Sequence, residues 1–252
     1  MKIIANTTDK SNILEIEDIL ERFQNTGSLL ADGGRNQIRI FDFNEKQITV
    51  KAFKIPNAVN KIAYRFFRKS KAQRSFEYAF RLLKEGIPTP QPIAYAEDKT
   101  GAAFGKSFYL SEYLNYDLTF RDLIENPKYI GNDSILKAFT KFTYEMHQKG
   151  IHFLDHSPGN TLIVIKPEGY DFYLVDLNRM EFKDLDYKIR IENFRRLTPK
   201  KEMVEVMAKE YARLAEYDQE KTLNDMWKAT VDFQEKFQRK KRLKKKLKFW
   251  KK

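Results

Sequence analysis

Asp155, Asn160 and Asp176 stand in an order and spacing that suit phosphoryl transfer. They lie in two stretches, Gly150-Ile151-His152-Phe153-Leu154-Asp155-His156-Ser157-Pro158-Gly159-Asn160 and Leu174-Val175-Asp176-Leu177-Asn178-Arg179. Moving a phosphoryl group onto a hydroxyl needs a carboxylate that positions the acceptor and takes its proton. It also needs oxygen ligands that hold Mg²⁺ against the phosphates. Mg²⁺ retains several waters, so one carboxylate and one amide oxygen are enough from the protein. In that chemistry Asp155 is the base, and Asn160 and Asp176 are the metal ligands. The same residue types also make ordinary loops, in which Asp155 and Asn160 would only cap a turn. The order of the surrounding elements favours the chemical reading.

Those elements change character along the chain. A short strand and a helical turn are expected within residues 1–30, then a turn at Ala31–Asn36. Gln37–Phe43 and Gln47–Phe53 alternate as strands of a hairpin joined at Asn44-Glu45-Lys46. A helix is expected from about Ala58 to Glu85, broken near Lys69–Lys71. Phe76, Phe80 and Leu83 mark its apolar face and Gly86 its end. Ile93–Tyr95 and Ser107–Tyr113 read as a second hairpin with a polar turn at Glu97–Gly101. Beyond it, Leu118–Ile124 reads as a short helix and Ser134–Lys149 as a longer one, with Leu136, Phe139, Phe142 and Met146 inward. Short strands follow at Leu162–Ile165 and Phe172–Val175, and helix dominates from Thr198. The pattern predicts an α+β chain, with a β-rich lobe over residues 1–113 and a helical lobe carrying Asp155 over 114–235. A basic amphipathic tail over 236–252 completes it, and Glu112–Asn115 connects the lobes.

On these residues the chain resembles the lipopolysaccharide kinase family, the Kdo kinase/heptose kinase branch of the protein-kinase-like superfamily. The resemblance covers roughly residues 30–195 and implies a two-lobed kinase fold that uses ATP and Mg²⁺. Asp155 falls on the catalytic Asp, Asn160 on the loop Asn and Asp176 on the metal-binding Asp. Lys51, in Thr49-Val50-Lys51-Ala52-Phe53, falls on the lysine that contacts the ATP phosphates. Lys54 is its rival, and only one of the two can point inward from an unbulged strand, because positions three apart lie on opposite faces. Lys51 is preferred because it sits inside the strand, before Pro56. Glu77 falls on the helix glutamate that pairs with that lysine. Ser111-Glu112-Tyr113-Leu114 resembles the hinge, where the backbone of Glu112 and Leu114 would hold adenine. Gly33 and Gly34 stand where a glycine-rich phosphate loop would lie, without its full spacing. The implied acceptor is a hydroxyl of an inner-core lipopolysaccharide sugar, Kdo being the expected one. Other readings of the same fold are a kinase for another small molecule or for a protein, and a noncatalytic membrane-associated scaffold.

The chain departs from the superfamily pattern in several places. Phe153 and Leu154 replace the His and Arg that often precede the Asp, and Leu177-Asn178 follows Asp176 in place of Phe-Gly. No Ala-Pro-Glu motif closes an activation segment. These gaps argue against a signalling protein kinase.

Composition bounds the remaining possibilities. The 252 residues contain no cysteine, which excludes disulfides and thiolate chemistry. The start, MKIIANTTDKSN, turns polar too early for a secretory signal, and no apolar run is long enough to span a bilayer. The net charge of +12 is local: Lys236–Lys252 holds 11 basic and no acidic residues, which leaves 36 basic against 35 acidic elsewhere. Leu243, Leu247 and Trp250 recur there at helical spacing among lysines and arginines, a pattern suited to an anionic membrane surface, the alternative being a solvated helix end. No folded basic face points to specific nucleic-acid binding. Together with the resemblance, this implies a cytoplasmic protein, peripheral on the cytoplasmic face of the inner membrane. Three histidines are too few and too scattered to suggest a zinc site. His156, beside Asp155, is a candidate contact to substrate or phosphate. Arg179, Arg190, Arg195 and Arg196 are candidate contacts to acidic sugars or phosphates, and equally surface residues.

Overall fold

The computed structural model describes residues 1–249 apart from 34–35, 58–63, 65–67, 100–103, 127–128 and 130–132, with only the backbone described over 245–249. The chain divides into two compact units. The first comprises Met1–Asn115 with Leu174–Asn178, and the second comprises Tyr116–Tyr173 with Arg179–Lys252.

The first unit is built on a six-stranded sheet of β1 (Lys2–Ala5), β2 (Ser28–Asp32), β3 (Asn36–Phe43), β4 (Lys46–Phe53), β5 (Pro92–Glu97) and β6 (Ser107–Glu112). Its spatial order is β1-β5-β6-β4-β3-β2, and the neighbouring strands run antiparallel. Because side chains alternate along a strand, the register assigns each residue to a face. Phe41, Phe43, Ile48, Val50, Ala94, Ala96, Phe108 and Leu110 pack with Ile16, Ile19 and Leu20 of the helix Lys10–Glu21 into one buried cluster. Lys51 pairs with Ile38 on one side and Tyr109 on the other, and Tyr109 pairs with Tyr95. These residues therefore occupy the opposite face. There Tyr95 meets Phe76 of the helix Lys71–Lys84, with ring centroids 5.3 Å apart.

The expected hairpin of Gln37–Phe43 and Gln47–Phe53 is present, joined by Asn44 and Glu45, both at positive φ. The turn expected over Ala31–Asn36 is shorter: Ala31 and Asp32 end a strand, β2, that carries no alternation because all five of its residues are exposed, and Asn36 already begins β3. The helix expected from Ala58 is described from Lys71, where Ser70 caps it by accepting from the Gln73 N–H at 3.0 Å. The expected residues before Tyr64 lie outside the described ones. Gly86, at φ 69°, stops the helix: its N–H reaches the Leu83 carbonyl and the Ile87 N–H reaches that of Leu82.

The second unit is mostly helical, with helices Phe120–Glu125, Asp133–Gln148, Tyr187–Glu192, Lys201–Ala215 and Gln219–Phe249. Its strands are β7 (Leu118–Thr119), β8 (Ile151–Phe153), β9 (Thr161–Lys166), β10 (Gly169–Leu174) and β11 (Met180–Phe182). The order β10-β9-β7 forms one small sheet, and β8 pairs with β11. The short helix expected at Leu118–Ile124 begins two residues late. Leu118 and Thr119 pair with β9, and Asp122 then caps the helix by accepting from the Thr119 N–H and hydroxyl at 2.7 and 2.8 Å. The helix Gln219–Phe249 runs unbroken through residue 236, so the basic tail is the end of a helix rather than a separate element. Met226 and Thr230 on this helix are buried, whereas residues 235–244 are exposed.

Candidate active site

In the first unit, Lys51 and Asp176 come together. The backbone does the positioning, because the Leu174 N–H donates to the Pro88 carbonyl at 3.0 Å. The Leu174 carbonyl in turn accepts from the buried Thr89 hydroxyl at 2.7 Å. These two bonds hold the segment Leu174–Asn178, and Lys51 Nζ lies 2.6 Å from Asp176 Oδ1. The Asn178 amide donates to the same oxygen at 2.6 Å. Asp176 has φ 59°, a left-handed conformation that is unusual for a residue with a side chain and that occurs where the surroundings over-determine it, often at functional sites. Lys54 lies past the end of β4, exposed, and the strand's alternation directs it away from the face that carries Lys51.

Glu77 lies elsewhere in the hydrogen-bond pattern. Its carboxylate accepts from Lys69 at 2.7 Å and from Gln73 at 2.9 Å, and the expected Lys51–Glu77 ion pair is replaced by Lys51–Asp176. Local partners explain the difference, since Gln73 is one turn earlier on the same helix face and Lys69 precedes its first turn. The Gly33 N–H closes the β2–β3 turn on the Asn36 carbonyl at 3.2 Å, so that amide is already used, and Gly34 lies outside the described residues. At the end of β6 the Glu112 carboxylate meets Lys46 at 2.9 Å, and its N–H donates to the Gln91 carbonyl. Leu114 is half-buried, and among the described residues its backbone has no hydrogen-bond partner.

In the second unit, Asp155 and Asn160 share one loop. Gly150 ends the helix Asp133–Gln148 at φ 67°, where an added Cβ would stand 2.8 Å from the Lys183 carbonyl oxygen. That close approach seats β8 against β11, with Phe153 opposite Met180 and Ile151 opposite Phe182. The Leu154 N–H then donates to the Arg179 carbonyl at 3.1 Å, which brings Arg179 to the loop. The Asn160 amide nitrogen donates to the Asp155 carbonyl at 2.8 Å, so the amide oxygen is the atom left for a cation. Arg196 donates to Asp155 Oδ1 at 2.5 Å and to the Leu154 carbonyl at 3.1 Å, and its guanidinium lies over the Phe233 ring at 5.7 Å. Arg179 reaches both Asp155 oxygens at 3.5 Å. Two of the four candidate arginines therefore sit at Asp155. Arg190 donates to the Leu185 carbonyl, and Arg195 pairs with Glu192.

His156 is not placed to touch substrate. It is fully buried beside Phe139, Phe153 and Phe194, and burial pushes its pKa down to about 3. His147, also fully buried, is likewise pushed down to about 3 by burial and stays neutral. It belongs to a relay that sequence reading missed. The Asn193 side-chain nitrogen donates to the Phe153 carbonyl at 2.8 Å, so its oxygen faces His147 Nε2 at 3.0 Å and must accept from it. That fixes the tautomer, and His147 Nδ1 accepts from the Tyr211 hydroxyl at 2.8 Å. The relay ties the helices Asp133–Gln148 and Lys201–Ala215 to the strand Ile151–Phe153, which ends just before Asp155. The apolar pair Phe153-Leu154 thus serves as an anchor for the loop, with Phe153 fully buried.

The oxygen atoms present suit a hard cation. Among the described residues no cluster of three His, Asp or Glu forms a metal cage. A Mg²⁺ ion held partly by waters and phosphates does not need one. A lysine paired to an aspartate on a small antiparallel sheet, followed by a helical part whose loop carries an Asp and an Asn, defines an α+β, two-lobed, protein-kinase-like fold. A solved structure described as WaaP in complex with acyl carrier protein has that fold. It is similar at TM-score 0.62 and 13% identity, covering 95% of this chain and 99% of that one. No curated protein matches the chain in sequence. The model of the lipopolysaccharide kinase (Kdo/WaaP) family matches residues 37–217, most of the chain, and the protein belongs to that family. It is a phosphotransferase with an alcohol group as acceptor and ATP as the phosphate donor.

Proposed function

We propose that the protein transfers the γ-phosphoryl group of ATP to a hydroxyl of an inner-core lipopolysaccharide sugar, with Kdo as the acceptor sugar. The observation that carries the site assignment is the Lys51–Asp176 pair at 2.6 Å, formed on a segment held by Thr89 and Pro88. In this reading Lys51 exchanges Asp176 for the ATP phosphates, and Glu77 takes up Lys51 when that exchange occurs. The backbone of Glu112 and Leu114 holds adenine, and the turn at Gly33 and Gly34 covers the phosphates. Asp176 and the Asn160 amide oxygen hold Mg²⁺, which neutralises charge on the phosphates when bound. Asp155 accepts the proton of the acceptor hydroxyl as its oxygen attacks the γ-phosphorus, and ADP leaves with the bridging oxygen and its electron pair.

The C-terminal helix supports a site of action at a membrane surface. Among the described residues no helix is long and apolar enough to cross a bilayer. The end of the helix Gln219–Phe249 instead exposes Phe237 and Leu243 among basic side chains, as an interfacial helix does. Trp250 and the side chain of Leu247 lie outside the described residues. We infer a peripheral protein on the cytoplasmic face of the inner membrane. The test is transfer of labelled γ-phosphate from ATP to lipid A carrying Kdo, with Mg²⁺ and with the metal chelated. Label on the sugar that disappears with chelation supports the reading. Label that survives chelation removes the metal roles of Asn160 and Asp176. A folded, ATP-binding chain that labels no Kdo would refute Kdo as the acceptor.

A further inference from the structure

Two guanidinium groups converge on the single carboxylate of Asp155, and they are held very differently. Arg196 is fixed three ways, by Asp155 Oδ1, by the Leu154 carbonyl and by the ring of Phe233. It satisfies the charge of Asp155 and leaves the side chain in one orientation. Arg179 is 55% exposed and touches Asp155 only through long contacts of 3.5 Å to both oxygens. Its backbone, by contrast, is anchored, because its carbonyl accepts from the Leu154 N–H. One carboxylate cannot neutralise two arginines, so the loop carries a surplus positive charge on a side chain that is rooted at its base and loose at its tip. Among the described residues, Oδ2 of Asp155 meets only this loose contact. An acceptor hydroxyl arriving at Oδ2 would displace the Arg179 guanidinium and leave it beside the acceptor.

We propose that Arg179 recognises an anionic group, carboxylate or phosphate, borne by the acceptor close to the hydroxyl that reacts. The proposal rests on Asp155 being the base. The planar fork of arginine matches either oxyanion bidentately. Arg196 is a positioning residue in this scheme, because its Nη1 is committed to the Asp155 carboxylate and the Leu154 carbonyl and its guanidinium to the Phe233 ring. A neutral sugar would lose the contact and leave the surplus charge unpaired, so the pair of arginines selects for acidic acceptors.

The experiment compares the full chain with Arg179→Gln and Arg179→Lys, reading acceptor affinity by calorimetry alongside acceptor KM and ATP KM. Three acceptors are used: Kdo-bearing lipid A, the same lipid with its carboxylates reduced to alcohols, and the same lipid with its phosphates removed. On the unmodified lipid, Arg179→Gln is expected to weaken acceptor affinity roughly 10- to 100-fold, the scale of a charge-assisted bidentate contact, with ATP KM unchanged. Arg179→Lys keeps the charge and recovers part of the loss, which separates recognition from misfolding. The natural chain and Arg179→Gln should then bind one modified lipid equally. Convergence on the carboxyl-reduced lipid identifies a carboxylate, and convergence on the dephosphorylated lipid identifies a phosphate. An equal penalty on all three lipids, an unchanged affinity, or no binding by the natural chain overturns the proposal. Transfer retained by Asp155→Asn would remove the base assignment alone, since the affinity comparison does not depend on turnover.

Discussion

Replacing Asn193 with Ala tests the buried relay behind the loop that carries Asp155. Asn193 is 7% exposed and makes two side-chain hydrogen bonds, to the Phe153 carbonyl at 2.8 Å and with His147 Nε2 at 3.0 Å. Alanine removes both partners at once and leaves a buried carbonyl and a buried ring N–H without hydrogen bonds. Each group so stranded costs about 1–3 kcal/mol, so the variant should lose about 2–6 kcal/mol of stability. Urea unfolding, followed by both circular dichroism and tryptophan fluorescence, reads this as a lower midpoint at unchanged slope. Phe153 is two residues before Asp155, so transfer activity should fall even at denaturant concentrations where the variant remains folded. A loss below about 1 kcal/mol would show that the two bonds are not made as described. The tautomer assigned to His147 would fall with them.

The two buried histidines set a direction for acid stability. Their folded pKa values are lowered to about 3 from 6.5, so between those values the unfolded chain binds more protons than the folded one. Stability contributed by the neutral rings is complete above about pH 6.5 and is lost as pH falls toward 3, by up to about 1.4 kcal/mol per pH unit for each ring. Thermal melting across that range should show the decline, and His147→Phe should flatten part of it. Glu45 sits at φ 61° in the two-residue turn between β3 and β4, a conformation that costs a side-chain-bearing residue about 1–2 kcal/mol. Glu45→Gly relieves it at the expense of some unfolded-state entropy, for a net gain of about 0.5–1 kcal/mol and a small rise in melting temperature. A lower melting temperature would contradict the turn geometry.

Local patterns carried most of what could be read in advance. Alternation made β3 and β4 visible, although on β3 it is Phe41 and Phe43 that share the buried face with Ile48 and Val50, while Ile38 and Ile40 lie half-buried on the other face, opposite Lys51 and Thr49. The edge strand Ser28–Asp32 buries none of its residues and so left no such trace. The strands Ile151–Phe153 and Met180–Phe182 are too short for any period to register. Asp155 and Asn160 lie on one loop, and Asp176 lies just past the next hairpin, so their spacing was informative on its own. The support behind Asp155 was not legible, since Arg196, Asn193 and Tyr211 reach their partners across 41, 40 and 64 residues of chain. His156 illustrates the converse error. Adjacency to Asp155 in sequence suggested a substrate contact, whereas the turn after β8 directs the ring into an aromatic core. The Glu77 expectation came from resemblance alone, and partners nearer in the chain occupy that carboxylate here.

In the proposed reaction Asp155 takes the acceptor proton as the phosphoryl group moves from ATP. The most direct measurement compares the natural chain with Asp155→Asn for ATP affinity and for transfer of labelled γ-phosphate to Kdo-bearing lipid A. ATP binding should be retained while transfer falls by roughly 10²- to 10⁴-fold, the range that a positioned general base supplies. Transfer at the natural rate by Asp155→Asn would contradict that role.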